Sequence, residues 1–377
     1  MWLHADKTVR MHAGDSVSDV VKIVPKGLEA FTHKVLTQLG SSPHEAEVVA
    51  NHLVCANLTG HDSHGVGLLP TYVRHLQEGL AFPNRPMKVV QDAGSILMVD
   101  GQRGFGQRIA KEAMELALDR AKQLGLVAMT LRNAHHIGRI GTYGEQSLAA
   151  GLISLHFVNV TDHPPVVAPF GGSDARMVTN PVCVAVPGET PVLLDMATSA
   201  IALGKARVAM NSGVPTPEGS IIDAKGNPTT NPNVMFTTPM GALLPFGGDL
   251  SGHKGYGLAL ICELLAGVLG GGGTVQPGTP QQGGIINSMF TVILDPSRFV
   301  DNDFFNAEIS AMVDYAKASP PQDPDKPVMV AGEPEKLSTS VRSSGIPLAA
   351  ATWQAMCSAA NEVGVSDEEI QSLIAAN

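Results

Sequence analysis

Apolar and polar positions follow two different rhythms along the chain. From residue 27 to 80 the rhythm is helical. The stretch 42-SPHE-45 is a capping box with proline at the first helical position, and Ala46, Val49, Ala50 and Leu53 then form one apolar stripe before Gly60 ends it. A second helix is predicted from about Ser63 to Gly79. It carries Leu69, Tyr72, Val73 and Leu76 at helical spacing and tolerates Pro70 only in its first turn.

From about residue 86 short β-rich runs take over. Strands are predicted at 96–100, 126–133, 152–160, 181–187, 191–197 and 288–296, where β-branched and apolar residues cluster between turn signals. Helices are predicted at 107–125 and 254–271, and the Gly-, Pro-, Asn- and Thr-rich stretch 205–250 reads as long ordered loops over a site. Helical rhythm returns at 306–319 and 351–363, and 366-SDEE-369 is a second capping box opening a last helix. The pattern predicts an α/β fold. An extended lead-in (1–22) precedes a helical domain made by both chain ends (23–85 with 300–377), and these bracket a β-rich domain (86–299).

Composition narrows the class. A chain of 377 residues with 44% hydrophobic and 16% charged residues is long enough for a well-buried core. No secretory signal is read in residues 1–30, and the most apolar run, 256–273, carries Glu263 at its middle, so no membrane span is expected. Cys55, Cys183, Cys262 and Cys357 are far apart without a CxxC pair, which suits buried free thiols in a reducing cytoplasm. The net charge of −10 excludes a generic nucleic-acid binder, which needs a basic face.

The usual catalytic signatures are absent. The nearest approach to a Gly-x-Gly-x-x-Gly turn, Gly104-Phe105-Gly106-Gln107-Arg108-Ile109, lacks its third glycine, and no P-loop, G-x-S-x-G or H-E-x-x-H occurs. Four polar clusters remain in apolar surroundings: 61-HDSHG-65, 133-NAHHIGRIG-141, 194-LDMATS-199 and 252-GHKGYG-257. His61, His64 and His136 meet no zinc-ligand spacing, so no metal is expected. A lone histidine at such a place is most often structural. Several Gly-flanked polar clusters at element ends point instead to a ligand approached by backbone.

In their order and separation, GHDSHG, NAHHIGRIGTYGEQ, LLDMATSAIALGKARVA, GHKGYGLAL, VMVAGEPE and the ending GIPLAAATWQ resemble the type-2 malate/L-lactate dehydrogenase family, from about residue 27 to the C-terminus. Within it the likeness is greatest to the hydroxycarboxylate dehydrogenase B branch. The resemblance implies an NAD- or NADP-dependent enzyme with a non-Rossmann fold, a largely antiparallel sheet in its cofactor-binding and catalytic domain, and a homodimeric assembly. It implies interconversion of small 2-oxo and 2-hydroxy acids, chiefly as reduction, with cyclic imino acid reduction as the alternative inside the family. A non-catalytic binder with the same fold is the alternative outside it.

The resemblance assigns the catalytic histidine to His64, with Asp195 orienting or tuning it, Ser63 holding substrate and His136 as a second active-site histidine; His135 is read as structural. A helix N-cap is the other reading of Ser63. The implied cofactor contacts are His64, Gly138, Arg139, Ile140, Leu194, Asp195, Met196, Ala197, His253, Lys254, Asn287, Ala331, Gly332 and Glu333. Gly138 and Gly255 are expected to admit backbone close to the ligand, and Arg139 and Lys254 to meet its pyrophosphate. Where many relatives carry arginine four residues after the motif histidine, this chain has Leu68. That departure predicts a pocket preferring one carboxylate and a bulky side chain over small dicarboxylates. A second departure, Ala331 for proline, predicts a looser loop there.

Overall fold

The computed structural model describes residues 20–211 and 213–375. The first elements are β1 (Val20–Ile23), α1 (Pro25–Gln38), α2 (Pro43–Leu58) and α3 (Leu69–Gln77). There follow β2 (Lys88–Ala93), β3 (Ile96–Asp100), α4 (Gly106–Leu124), β4 (Leu126–His135), α5 (Gly141–Ala149), β5 (Ile153–Thr161), β6 (Val182–Val186), β7 (Val192–Met196) and α6 (Leu203–Asn211). Next come the short β8 (Ile221–Ile222), β9 (Pro228–Thr229) and β10 (Ala242–Leu243), then α7 (Gly248–Cys262) and β11 (Ile286–Leu294). The chain closes with α8 (Asn302–Lys317), α9 (Glu333–Arg342), β12 (Ile346–Ala349), α10 (Ala350–Glu362) and α11 (Asp367–Ala375).

Seven strands form the main sheet in the order β2-β3-β4-β11-β5-β6-β7, and every neighbouring pair is antiparallel except β3 with β4. The one parallel pair is joined by α4, as a crossover connection requires. The face of α4 bearing Ile109, Ala113, Met114 and Ala117 is buried with Leu97, Val127, Met129 and Leu131 of the sheet. This is the mixed α/β class that the alternating runs predicted.

The two chain ends meet in a second core. Leu28, Phe31, Val35 and Leu36 of α1 and Leu53 of α2 are buried with Ile346, Met356, Ala360 and Ile370 from the other end, and β1 pairs antiparallel with β12. Residues 20–22, assigned to the lead-in, thus lie within a two-stranded sheet, and residues 1–19 are outside the described residues. The capping boxes form as predicted on their serines: Ser42 accepts from the Glu45 N–H and Ser366 from the Glu369 N–H. Glu45 does not reach back to its own cap. It is buried and pairs with Arg108 at 2.8 Å, fastening α2 to α4.

The stretch read as long loops folds into a third core, where Ile221, Met235 and Leu243 meet Ala206 of α6 and Ala259 of α7. Beyond α7 the helix widens into a π-helical stretch, Glu263–Leu269. Its Glu263 is buried and accepts from Asn159, Asn180 and the Val275 N–H. Burial raises its pKa, and those three donors oppose the rise.

Candidate active site

His64 sits in a short 3-10 turn, Asp62–His64, and a second one, Val66–Leu68, precedes α3. The predicted helix start at Ser63 is therefore displaced to Leu69, with Pro70 in the first turn as required. Asn57 of α2 explains the displacement. Its side chain is buried, accepts the Val66 N–H at 2.8 Å and donates to Asp62 at 2.6 Å, so it captures backbone that a helix would otherwise use. Gly65 makes room for it, since a Cβ there would lie 2.2 Å from the Asn57 amide oxygen. From the far end of the chain, Arg342 of α9 binds both Asp62 and the Asn57 carbonyl, and Ser338 binds the Leu58 carbonyl.

Ser63 is not an N-cap: the residue before the turn is His61, and no side chain caps it. α6 closes over Ser63, where a Cβ on Gly204 would approach the serine Cβ to 2.9 Å. His64 is half-buried and bonds through Nδ1 to His136 Nε2 at 3.3 Å, with the two ring planes within 12° of each other. Behind His136, its Nδ1 meets the Tyr72 hydroxyl at 2.6 Å, and Gln107 of α4 donates to that hydroxyl at 2.6 Å. Burial, helped by the neighbouring His61, lowers the His64 pKa from 6.5 to about 4, while Asp195 pulls it upward. Burial first, then the neighbouring His64, puts His136 well below 6.5. Both rings are neutral at pH 7.

Asp195 is not hydrogen-bonded to His64, whose Nδ1 partner is His136, but its charge acts on the ring by opposing the lowering of the His64 pKa. The Asp195 carboxylate accepts the Gly141 N–H at 2.8 Å, where the dipole of α5 favours a negative charge, and lies 3.4 Å from Arg139 Nε. Arg139 itself is buried, donates to Glu145 at 2.7 Å and leaves Nε and Nη2 without hydrogen-bond partners. The guanidinium expected to meet a pyrophosphate thus lies inside the protein, between the carboxylates of Glu145 and Asp195.

The loop from His136 to Ile140 has no regular structure, yet side chains from four elements bind its backbone and that of Gly141, where α5 begins. Asn287 of β11 accepts the Ile137 N–H at 2.9 Å, Tyr143 of α5 donates to the Ile137 carbonyl at 2.5 Å, His52 of α2 accepts the Arg139 N–H at 2.9 Å, and Asp195 of β7 takes Gly141. Gly138, at φ 75°, has no Cβ because one would lie 2.2 Å from His52 Nε2. Gly255 is likewise demanded by the protein itself, as a Cβ would meet the Phe246 carbonyl at 2.3 Å. Close packing rather than ligand approach accounts for both glycines. Ile140 belongs to the sheet core, and Asn287 is a buried tether.

The other expected contacts are more accessible. Leu194, Met196 and Ala197 are half-buried, with Leu193 and Asp195 turned to the α5 side of β7. Ala331 accepts the Leu193 N–H beside that strand, Gly332 precedes α9 at φ 96°, and Glu333 pairs with Lys317 and accepts the Val330 N–H. Those bonds hold the segment that was predicted to be loose. His253 and Lys254 are exposed on α7, with Phe170 edge-on to the His253 ring. Leu68 is half-buried against the helical core.

Tyr72, Gln107, His52, Asn57 and Glu335 are the residues that sequence reasoning did not place here. Glu335 accepts from His61 at 3.3 Å, and its second oxygen is buried without a partner. A tyrosine on an otherwise aliphatic stripe was the one available signal, because a buried hydroxyl needs a partner. Among the described residues, no group of three or more His, Cys, Asp or Glu side chains could hold a metal ion.

Residues 23–357 match the malate/L-lactate dehydrogenase family. The chain belongs to that family. It is 48% identical to hydroxycarboxylate dehydrogenase B of Escherichia coli over 350 residues, 92% of this chain and 95% of that protein. Among solved structures it is similar to malate dehydrogenase from Pyrococcus horikoshii, at TM-score 0.82 and 31% identity, covering 94% of this chain and 99% of the other. It is also similar to the delta1-piperideine-2-carboxylate reductase of Pseudomonas syringae, at TM-score 0.76 and 26% identity, covering 90% and 99%.

The side chains present fit a pyridine nucleotide. A dinucleotide needs cations for its phosphates on a chain of net negative charge, and Lys205 on α6 and Lys254 on α7 are exposed on two helices that share one core through Ala206 and Ala259. The segment joining Asp195 to α6 runs beside the start of α7: Ser199 bridges to Pro245, and the Phe246 N–H donates to the Thr198 carbonyl. Both lysines are exposed, whereas the Arg139 guanidinium is buried.

Proposed function

We propose that the protein interconverts 2-oxo acids and 2-hydroxy acids with NAD or NADP, chiefly as a 2-oxo acid reductase, on a fold with no doubly wound parallel sheet. The observation that carries this reading is the hydrogen-bonded pair His64 and His136 beside Ser63, in a chain of this family. When bound, the nicotinamide ring supplies the hydride for reduction. His64 moves the proton: as negative charge builds on the C2 oxygen, its Nε2 faces that oxygen as donor, and it takes the proton back in the reverse sense. An anionic substrate beside the ring would raise the His64 pKa from its depressed value toward the working range. The Ser63 hydroxyl holds the substrate carboxylate, and Asp195 opposes the lowering of the His64 pKa.

Leu68 puts apolar surface where a cation would favour a second carboxylate, so we assign the pocket to monocarboxylates with bulky side chains. Cyclic imino acid reduction is the second reading, favoured by the likeness to the piperideine-2-carboxylate reductase. A C=N bond asks the same of His64 as a C=O bond. A homodimer is supported by the apolar stripe of Leu260, Ile261, Leu264, Val268 and Leu269, exposed along one helix. A cytoplasmic setting is supported by four free cysteines. Among the described residues, no helix is long and apolar enough to cross a membrane.

Absorbance of NADH and NADPH with pyruvate, phenylpyruvate, oxaloacetate and piperideine-2-carboxylate tests the whole reading. Oxidation with phenylpyruvate at a higher kcat/KM than with oxaloacetate is expected. Preference for oxaloacetate would overturn the role of Leu68, preference for the imine would select the second reading, and no oxidation with any of them would overturn both.

A further inference from the structure

Neutral imidazole carries one proton on one of two nitrogens, and the partner of the other nitrogen decides which. Behind His64 lies a chain of groups whose partners can be followed to their end: Gln107 Nε2 to the Tyr72 hydroxyl at 2.6 Å, Tyr72 to His136 Nδ1 at 2.6 Å, and His136 Nε2 to His64 Nδ1 at 3.3 Å. Gln107, Tyr72 and His136 are buried, so an unpaired donor among them is costly.

We infer that Tyr72, acting through His136, sets which nitrogen of His64 carries the proton, and that Gln107 is the positioning residue at the end of the series that lets this setting reverse. The inference rests on the reading of His64 as the proton-transfer group. Gln107 donates to the Tyr72 oxygen, so the single tyrosine proton points at His136 Nδ1. Were His136 to donate there instead, the buried Tyr72 O–H would have no acceptor. His136 therefore holds its proton on Nε2 and donates to His64 Nδ1, and His64 presents an N–H at Nε2, poised as a hydrogen-bond donor to a carbonyl oxygen.

The far end of the chain can also reverse. The carbonyl oxygen of Gln107 is buried without a partner. If the amide rotates and this oxygen accepts the tyrosine proton, every bond in the series changes sense: His136 donates from Nδ1 to Tyr72, and His64 donates from Nδ1 to His136. Nε2 of His64 is then either a free lone pair, the base, or the second N–H of an imidazolium, the acid. Giving up the Nε2 proton in the first arrangement would leave an imidazolate. In the second, an imidazolium that has taken its extra proton from solvent gives it from Nε2 to the substrate oxygen and remains a neutral imidazole, so turnover needs an end group that can both donate and accept a hydrogen bond. An amide does both.

The test is selective 15N labelling of histidine, which separates protonated from unprotonated ring nitrogens without substrate, with His64→Asn used to assign the signals. At neutral pH the wild type is expected to show His64 with Nδ1 unprotonated. Gln107→Met keeps that state, because Tyr72 still has only His136 to donate to. Lacking the amide oxygen, it cannot reverse, so kcat falls on the order of 10²-fold, while the Kd for NADH or NADPH is unchanged. Tyr72→Phe frees His136 Nδ1, and the His64 signal moves toward a mixture of tautomers with a displaced pH profile of kcat/KM. The inference is overturned by a wild-type His64 protonated on Nδ1, by a Tyr72→Phe spectrum identical to wild type, or by Gln107→Met with unchanged kcat and pH profile. If no substrate in the panel is turned over, the spectra alone still decide the tautomer, so failure of the proposed function stays separate from failure here.

Discussion

Two histidine pairs meet at the end of β4, and only one of them ends on a histidine that is not fully buried. His136 links Tyr72 to His64. One residue earlier, His135 accepts from His75 at 2.9 Å, and His75 in turn accepts from Arg74 at 3.1 Å. Successive side chains leaving a strand point to opposite sides, so neighbours in sequence end in different surroundings. The His75 series ends on His135 Nδ1, buried with no partner, whereas the other ends on half-buried His64 beside Ser63. The deeper pair has the shorter hydrogen bond, and burial lowers the His135 pKa to about 3, further than that of His64. Neither a short bond nor a displaced pKa marks the pair able to do chemistry. The access of the last nitrogen does.

The largest test of this contrast is His64→Asn. It should lower kcat by about 10²–10⁴-fold with little change in the Kd for NADH or NADPH. Turnover close to wild type would move His64 into the structural class.

His135→Ala should do the reverse. Loss of the buried hydrogen bond and the cavity left behind cost about 2–3 kcal/mol in urea unfolding, with kcat held within severalfold. It should also flatten the acid limb of stability. The folded-state pKa of His135 is lowered from 6.5 to about 3, chiefly by burial, so the unfolded chain binds this proton first. Its contribution is intact above pH 6.5 and is lost as pH falls from there toward about 3. An identical acid limb in the variant would show that His135 is not the buried titrating group supposed here.

Smallest is Arg74→Gln at the exposed start of the deeper series. A change of about 0.5 kcal/mol or less in stability is expected. After burial, the Arg74 charge is the next cause lowering the His75 pKa, so NMR titration should show His75 titrating at higher pH in the variant. No movement would mean that solvent screens the arginine fully.

Much of the architecture was legible because it is written in local periodicity. The buried stripe of α4 and the alternation in β5 and β6 mark their elements. α9 was missed because none of its residues is buried, and β2 because it is exposed along its whole length. Short β1 and β12 are strands only through each other, 329 residues apart at the pair Val20 and Ala349, and no local pattern carries such pairing. The clusters holding His64, His136 and Asp195 stood out as polar residues between glycines. Tyr72 and Gln107 did not, since each fits an amphipathic helix, and what makes them notable is a hydrogen bond between positions 35 residues apart.

The stretch 136–141 carries a lesson for anyone wishing to redesign substrate scope. Its backbone is pinned from α2, α5, β7 and β11 at once, and two of its glycines, Gly138 and Gly141, face side chains that a Cβ would strike. Randomising that stretch would spend a library on misfolded clones. The lobe between 205 and 250 lies on a core of its own and, among the described residues, carries no such tethers to His136, so diversity introduced there, or at Leu68, can alter what the pocket admits while leaving the proton-handling groups where they are.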